Sequence, residues 1–166
     1  MAEKEPVNPI RETDEDARAL ARGLVADAAF AALGVVEPGT GFPLVSRVAT
    51  AVEIDGSPFT LISSLSGHSK ALAADSRASF LFGEPAAKGD PLTHPRITVI
   101  GKLTALSRDE PGHAARREFW LRHHPKSKLY IDFADFAFWR MAIERAHLNG
   151  GFGKAFILTA ADMDPR

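Results

Sequence analysis

Residues 46–72 read SRVATAVEIDGSPFTLISSLSGHSKAL, with an arginine, a serine pair and a Ser-Lys step at spacings that suit an anion. Arginine's planar fork holds two oxygens of a phosphate or carboxylate at once, and lysine adds a mobile point charge. A helix start contributes free backbone N–H groups and the positive end of its dipole. Ser63, Ser64, Ser66, Ser69 and Lys70 lead from a strand end into such a start, with His68 in its first turn. Taken singly, Ser66 reads as a plain N-cap and Lys70 as a solvated helix residue. Joined by Arg47 from a neighbouring strand, they read as an anion cradle.

That convergence depends on a hairpin. Asp55-Gly56 between two strand-like runs is a strong short-range hairpin signal. A two-residue loop there pairs Ile54 with Ser57 and sets Arg47 opposite Ser64. Alternation then places Arg47, Ala49, Ala51, Thr60, Ile62 and Ser64 on one face, a shelf for a flat molecule that carries an anion. Val48, Val52, Phe59 and Leu61 fall on the other face as core.

The rest of the chain supplies the scaffold. Residues 1–12 are polar with two prolines and read as a flexible arm; 13–166 read as a single domain. Thr13 to Asp16 is a T-x-x-D capping pattern that opens a helix through residue 27. Strands are expected at 29–36, on both sides of Asp55-Gly56, and at 78–82, 96–106, 137–145 and 155–158. A short helix follows Ser66 to residue 75. A second capping box, Ser107 to Glu110 with Pro111 in the first turn, predicts a helix to His124. A helical piece at 126–131 and a tight turn at Gly150-Gly151-Phe152-Gly153 complete the pattern. The strands do not alternate with helices as in βαβ units, so the expected class is mainly β, an antiparallel barrel with peripheral helices.

Composition narrows the function. Twenty basic residues against 21 acidic ones leave a net charge of -1, so no global field favours nucleic acid or an anionic membrane. The absence of cysteine excludes disulfides, thiolate metal sites, iron–sulfur clusters and cysteine nucleophiles. The N-terminus has no apolar h-region, and no run approaches the ~20 apolar residues of a membrane span. A cytoplasmic protein is expected. His123 and His124 are adjacent, so on a helix they point ~100° apart and do not share a metal; no H-E-x-x-H motif occurs, and no metal site is expected. No G-x-S-x-G, Walker loop or G-x-G-x-x-G is present. No histidine and carboxylate converge on a serine, so the catalytic residues stay unassigned.

The arginine strand, hairpin, hydroxyl-ended strand and S-K helix, continued by D-S-R-A-S-F-L-F and R-I-T-V-I-G-K-L, resemble the pyridoxamine-phosphate-oxidase-like superfamily of FMN-binding split barrels. The likeness covers about residues 28–106. It implies a six-stranded antiparallel split β-barrel, a homodimer with FMN at the interface, and a small-molecule substrate or nicotinamide reductant. By the same resemblance Arg47, Ser63, Ser64, Ser69 and Lys70 hold the FMN phosphate and ribityl chain, with Val48 beside Arg47. Arg96 would lie near the flavin ring. The segments HHPKSKLYIDFADFAFWRM and LNGGFGKA are similar to one branch, the HugZ-type haem-utilisation proteins. Phe152 packs against a flavin ring or against its own core; the sequence leaves both open.

Two departures separate the chain from a true pyridoxamine phosphate oxidase. The fifth residue after Arg47 is Val52, where that enzyme has a cofactor-side lysine, and its arginine- and histidine-bearing C-terminal segment has no counterpart. The expected function is therefore an FMN-dependent oxidoreductase of another kind. The alternatives are a HugZ-type haem-binding or haem-degrading protein, whose Soret band would depend on His147 or His68, and a flavin carrier or sensor without turnover.

Overall fold

The computed structural model describes residues 8–166. In chain order its elements are β1 (Ile10–Arg11), α1 (Glu15–Ala26), β2 (Phe30–Val36), β3 (Pro43–Ala49), β4 (Ala51–Val52), β5 (Pro58–Ser63), α2 (Gly67–Ala74), β6 (Arg77–Phe82), β7 (Arg96–Ala105), α3 (His113–His123), β8 (Phe136–Asn149), β9 (Ala155–Thr159) and α4 (Ala160–Met163). Of the expected arm, residues 1–7 lie outside the described residues, and Ile10 and Arg11 pair in parallel with Ala155 and Phe156. No helix among the described residues is long and apolar enough to cross a membrane.

Alternation sets which face each strand buries. Ala31, Leu33 and Val35 of β2, Ala78, Phe80 and Phe82 of β6, and Ile97, Val99 and Leu103 of β7 turn inward, and the residues between them turn out. The sheet runs β1-β9-β8-β7-β6-β2-β3, and β5 joins it by pairing with both β8 and β4. The fold is mainly β with four helices, a mixed nine-stranded sheet that does not close. The pattern predicts seven strands and the resemblance six; the pattern misses β1 and β4, which at two residues each are too short to show a period.

The hairpin register departs from expectation by one residue. Ala51 pairs with Phe59 and Val52 with Pro58, Glu53 N–H donates to Ser57 O at 2.9 Å, and Gly56 N–H donates to Glu53 O at 2.9 Å. The loop is therefore Ile54-Asp55-Gly56. A two-residue type I′ loop needs positive φ at both central residues, and only Gly56 takes one, at 81°. A one-residue slip exchanges the two faces, so the predicted shelf is not built: Arg47 does not face Ser64 but pairs with Ala32 of β2. Pairing with β5 ends at Ala51, because Thr50 turns the chain and donates its N–H to Ala29 O at 3.1 Å.

Helix starts also differ from the capping patterns. α1 is capped by Asp14, which accepts from Ala17 N–H, one residue past Thr13. α3 begins only at His113 behind Gly112, without a side-chain cap; Ser107 spends its hydroxyl on the near Asp109 N–H. α1 and α2 flank one core built on Leu33, Phe80, Val99, Leu103 and Met141. α3 covers a second core, where Phe59, Trp120 and Phe138 meet with ring centroids 5.6 to 5.7 Å apart.

Two glycines separate space from strain. A Cβ on Gly56 would stand 2.1 Å from Met163 O at a left-handed φ, while a Cβ on Gly23 inside α1 meets nothing within 4 Å. Urea unfolding is expected to show Gly56→Ala destabilising by roughly 2–4 kcal/mol and Gly23→Ala stabilising by roughly 0.5–1 kcal/mol. Equal effects of the two would contradict this assignment of the turn.

Candidate functional site

The turn from β5 into α2 is held by its own hydroxyls. Ser66 caps α2 and accepts from Ser69 N–H. Ser66 Oγ donates to Ser63 O at 2.8 Å, and the buried Ser69 hydroxyl donates to the same carbonyl. Ser63 Oγ donates to Asp135 Oδ2 at 2.5 Å, and Ser64 N–H donates to Asp135 O at 2.7 Å. Of the predicted phosphate-side serines, Ser63 and Ser69 are thus engaged inside the protein, and only the Ser64 hydroxyl stands exposed. The first two helical N–H groups, of Gly67 and His68, have no carbonyl a turn earlier to bond.

The helix start is fixed to β3 by a polar contact that the sequence pattern does not mark. Ser46 Oγ and His68 Nδ1 lie 3.0 Å apart. Burial disfavours the imidazolium and holds His68 below its ordinary value. Arg47, next to Ser46 but on the other side of β3, is exposed, with its guanidinium 5.2 Å from the centroid of the Phe30 ring. Lys70 is exposed and pairs with no carboxylate among the described residues. Val48 is buried in the first core, so it supports Arg47 from behind and does not face the outer surface.

Arg96 and Phe152 lie elsewhere. Arg96 donates to Leu92 O at 2.9 Å and His94 O at 3.3 Å, tying down the turn before β7. β7 is three strands away from β3, about 14 Å at the usual strand spacing. Phe152 is 96% exposed on the β8–β9 turn, so packing against its own core is ruled out as its role.

Between these groups runs the outer face of the sheet. Arg47, Ala32, Leu81, Thr98, His147 and Ile157 are successive cross-strand partners over six strands and therefore share that face. In the adjoining rows stand Val45, Gly34, Ser79, Ile100 and Arg145, with Lys102 one pair further. Val45 is 65% exposed, Leu81 and Ile157 45%, and Phe30 38%. Leu81 and Ile157 flank Thr98 and His147 in that row, and Val45 and Phe30 stand in the rows on either side. The strand expected at 137–145 stops short of His147; β8 runs on to Asn149, and the alignment of His147 with Arg47 depends on the observed registers.

The D-F-x-D-F segment is a structural corner. Asp132 takes two hydrogen bonds from Arg117, at 2.8 and 2.6 Å, and these hold its carboxyl below the usual range. Arg108 donates to the carbonyls of Ile131, Asp132, Phe133 and Phe136, and Asp135 holds the end of β5. His123 and His124 are engaged with the Phe119 and Thr50 carbonyls. Among the described residues no three His, Cys, Asp or Glu side chains form a metal-binding group.

Comparison with known proteins agrees with this architecture. The family model described as CREG, beta-barrel matches residues 12–163. A chloroplastic non-canonical heme oxygenase, HOZ, of Arabidopsis thaliana is 36% identical over 117 residues, 70% of this chain and 35% of that protein. A heme binding protein from Mycobacterium smegmatis is 28% identical and superposes with a TM-score of 0.81 over 93% of this chain and 61% of that one. The chain thus spans about a third of the plant relative and under two thirds of the mycobacterial one. A general-stress-protein-26-related structure of the pyridoxinephosphate oxidase family from Clostridium acetobutylicum shares the fold, with a TM-score of 0.67 at 14% identity, covering 91% of this chain and 99% of that one. The superfamily resemblance read from the sequence therefore holds.

The state of His68 makes a testable pH dependence. Its folded value lies below the unfolded one of 6.5, so the folded protein keeps the imidazole neutral where the unfolded chain takes up a proton. Its contribution to stability is complete above the unfolded value and is lost as pH falls from there through the folded value. Urea unfolding across about pH 5 to 7.5 should show a shallower loss toward acid in His68→Gln than in the parent. Parallel curves would contradict the neutral, half-buried imidazole.

Proposed function

This chain belongs to the CREG β-barrel family, and we propose that it binds haem on the outer face of its sheet, at an interface between two copies, as a haem-utilisation protein. The observation that carries the reading is His147, exposed on the outer sheet face between Thr98 and Ile157, with Leu81 further along the row and cations nearby. Three features of the face fit the group. Leu81, Ile157 and Val45 offer apolar contact to a planar ring. His147 offers an imidazole nitrogen for iron. Arg47, Lys102 and Arg145 offer partners for carboxylates. The haem-related names of the plant and mycobacterial relatives support the same reading.

Haem, when bound, supplies iron redox chemistry, and the protein supplies position and electrostatics. His147 orients the plane, the rim cations neutralise the acidic edge, and the apolar residues exclude water. Any turnover would also need electrons from an external reductant, for which a nicotinamide is suited. A second copy laid on the exposed row from Phe30 to Ile157 would bury these apolar side chains and close the second side of the site. Arg96, one residue pair beyond Thr98 and His147 on the same face, would lie at the rim of the site in its own protomer.

A second reading, FMN with its phosphate at the start of α2, is favoured by one observation: Lys70 and the unbonded N–H groups of Gly67 and His68 lie together there. In that case these groups and the Ser64 hydroxyl would hold the phosphate, and Ser63 and Ser69 would serve only as the support beneath them.

Haem titration followed at the Soret band separates the readings. His147→Ala is expected to weaken haem binding by about tenfold or more, and Leu81→Glu to shift sedimentation from dimer to monomer. Unchanged haem affinity in His147→Ala, or a parent protein that forms no Soret band, would overturn the haem reading.

A further inference from the structure

We infer that a cavity beside a bulge in β8 is the carboxylate subsite of the outer face, and that Lys102 and Arg145, not Arg47, fix where a planar ligand places its acidic edge. The inference rests on reading the outer face around His147 as the ligand surface. The cavity originates in one extra residue of β8. Ile100 pairs with Arg145 and Gly101 with Ile143, so Glu144 has no partner across the ladder. The two backbones approach closely there, and a Cβ on Gly101 would overlap Ala142 O. A bulge of this kind reverses the alternation of its strand. Ile143 turns to the first core, Ala142 comes opposite Lys102, and Glu144 and Arg145 are both exposed. With a methyl group opposite it in place of isoleucine, Lys102 borders a cavity of about 460 Å³ that Gly34, Ser79, Ile100 and Arg145 also line. Lys102 stands two residues from Ile100, the partner of Arg145, so the two cations are diagonal neighbours within reach of one ligand.

The charges around the cavity differ in how far they are committed. Arg77, opposite Lys102, donates to the Asp75 carboxylate at 2.5 to 3.1 Å, so it closes one side without offering a free charge. Glu144 lies 3.9 Å from Arg145, with the two side chains 54% and 50% exposed; so loose a surface pair contributes little and yields to a better partner. Lys102 is exposed and makes no ion pair among the described residues. Two cations are therefore available for carboxylates, and arginine and lysine both suit them. Distance then separates this pair from Arg47. Arg47 is four strand spacings from His147, about 19 Å, whereas Arg145 is two residues along the same strand, about 7 Å. A haem with its iron on His147 turns its acidic edge toward the bulge, and Arg47 serves the face by its contact with Phe30.

The test compares ferric haem with its dimethyl ester, titrated into the full chain and followed at the Soret band. Esterification removes both negative charges and leaves the ring and iron in place. The parent is expected to bind haem at least about tenfold more tightly than the ester. Lys102→Met and Arg145→Met, both at exposed positions, are each expected to narrow that preference to about threefold or less by weakening haem alone. Arg47→Met is expected to affect haem and ester alike. Equal affinity for haem and ester in the parent, a preference that persists in both β7 and β8 variants, or one that vanishes in Arg47→Met would overturn the inference while the haem reading stands. A parent that forms no Soret band overturns the haem reading. The subsite is then decided by titration with phthalate, which is expected to shift the amide signals of Ser79, Ile100 and Lys102 in the parent and not in Lys102→Met. Unmoved signals in the parent would overturn the inference as well.

Discussion

The structure depends on a change of partner at Thr50. Up to Ala49 the strand pairs with β2; from Ala51 it pairs with β5. Between them Thr50 donates its N–H to Ala29 and accepts from His124 Nε2 at 2.8 Å, and Thr60 Oγ1 holds the neighbouring Ala49 carbonyl at 2.7 Å. The two halves of the sheet are joined through this residue and through β8, which pairs with β5 at its start and with β7 and β9 further on. Without the turn, Arg47 would continue along β5 into the second core. With it, Arg47 lies over Phe30 on the open face, and Ser46 reaches the first turn of α2.

From that split follow the two surfaces of the site. One is the flat outer face, where small or apolar side chains lie between Arg47 and His147. The other is the polar corner at the start of α2, whose hydroxyls are largely occupied by internal bonds. Asp135 Oδ2 accepts from Ser63 Oγ at 2.5 Å, and His68 Nδ1 lies 3.0 Å from Ser46 Oγ. The face, by contrast, has cations only at its edge. This division between an apolar plane and a rim of charge matches a ligand that is itself planar and acidic at one edge.

The strands were legible because inward and outward residues alternate, as in Ala31, Leu33 and Val35 against Phe30, Ala32 and Gly34. The Ser66 cap and the grouping of the serines with Lys70 were legible for the same local reason. The register was not, since Asp55-Gly56 suits a two-residue loop as well as the three-residue loop that forms, and the choice reverses every face in the hairpin. The role of Asp135 was hidden by distance: 72 residues separate it from Ser63, and nothing local distinguishes a carboxylate that packs a corner from one that occupies a hydroxyl. The second capping box misled because Pro111 and Gly112 delay α3 to His113. Superfamily resemblance pointed to the β5–α2 turn, and hydrogen bonds decide which of its groups remain available.

The most direct test of the account maps the ligand onto the sheet. Nitrogen–proton NMR spectra of the protein with zinc protoporphyrin and with ferric haem differ by paramagnetic broadening from the iron. The account predicts broadening centred on Thr98, His147 and Ile157 and fading toward α3. Broadening centred on the cleft between α3 and the hairpin tip, around Ile54 and Phe119, or none at all, would contradict it.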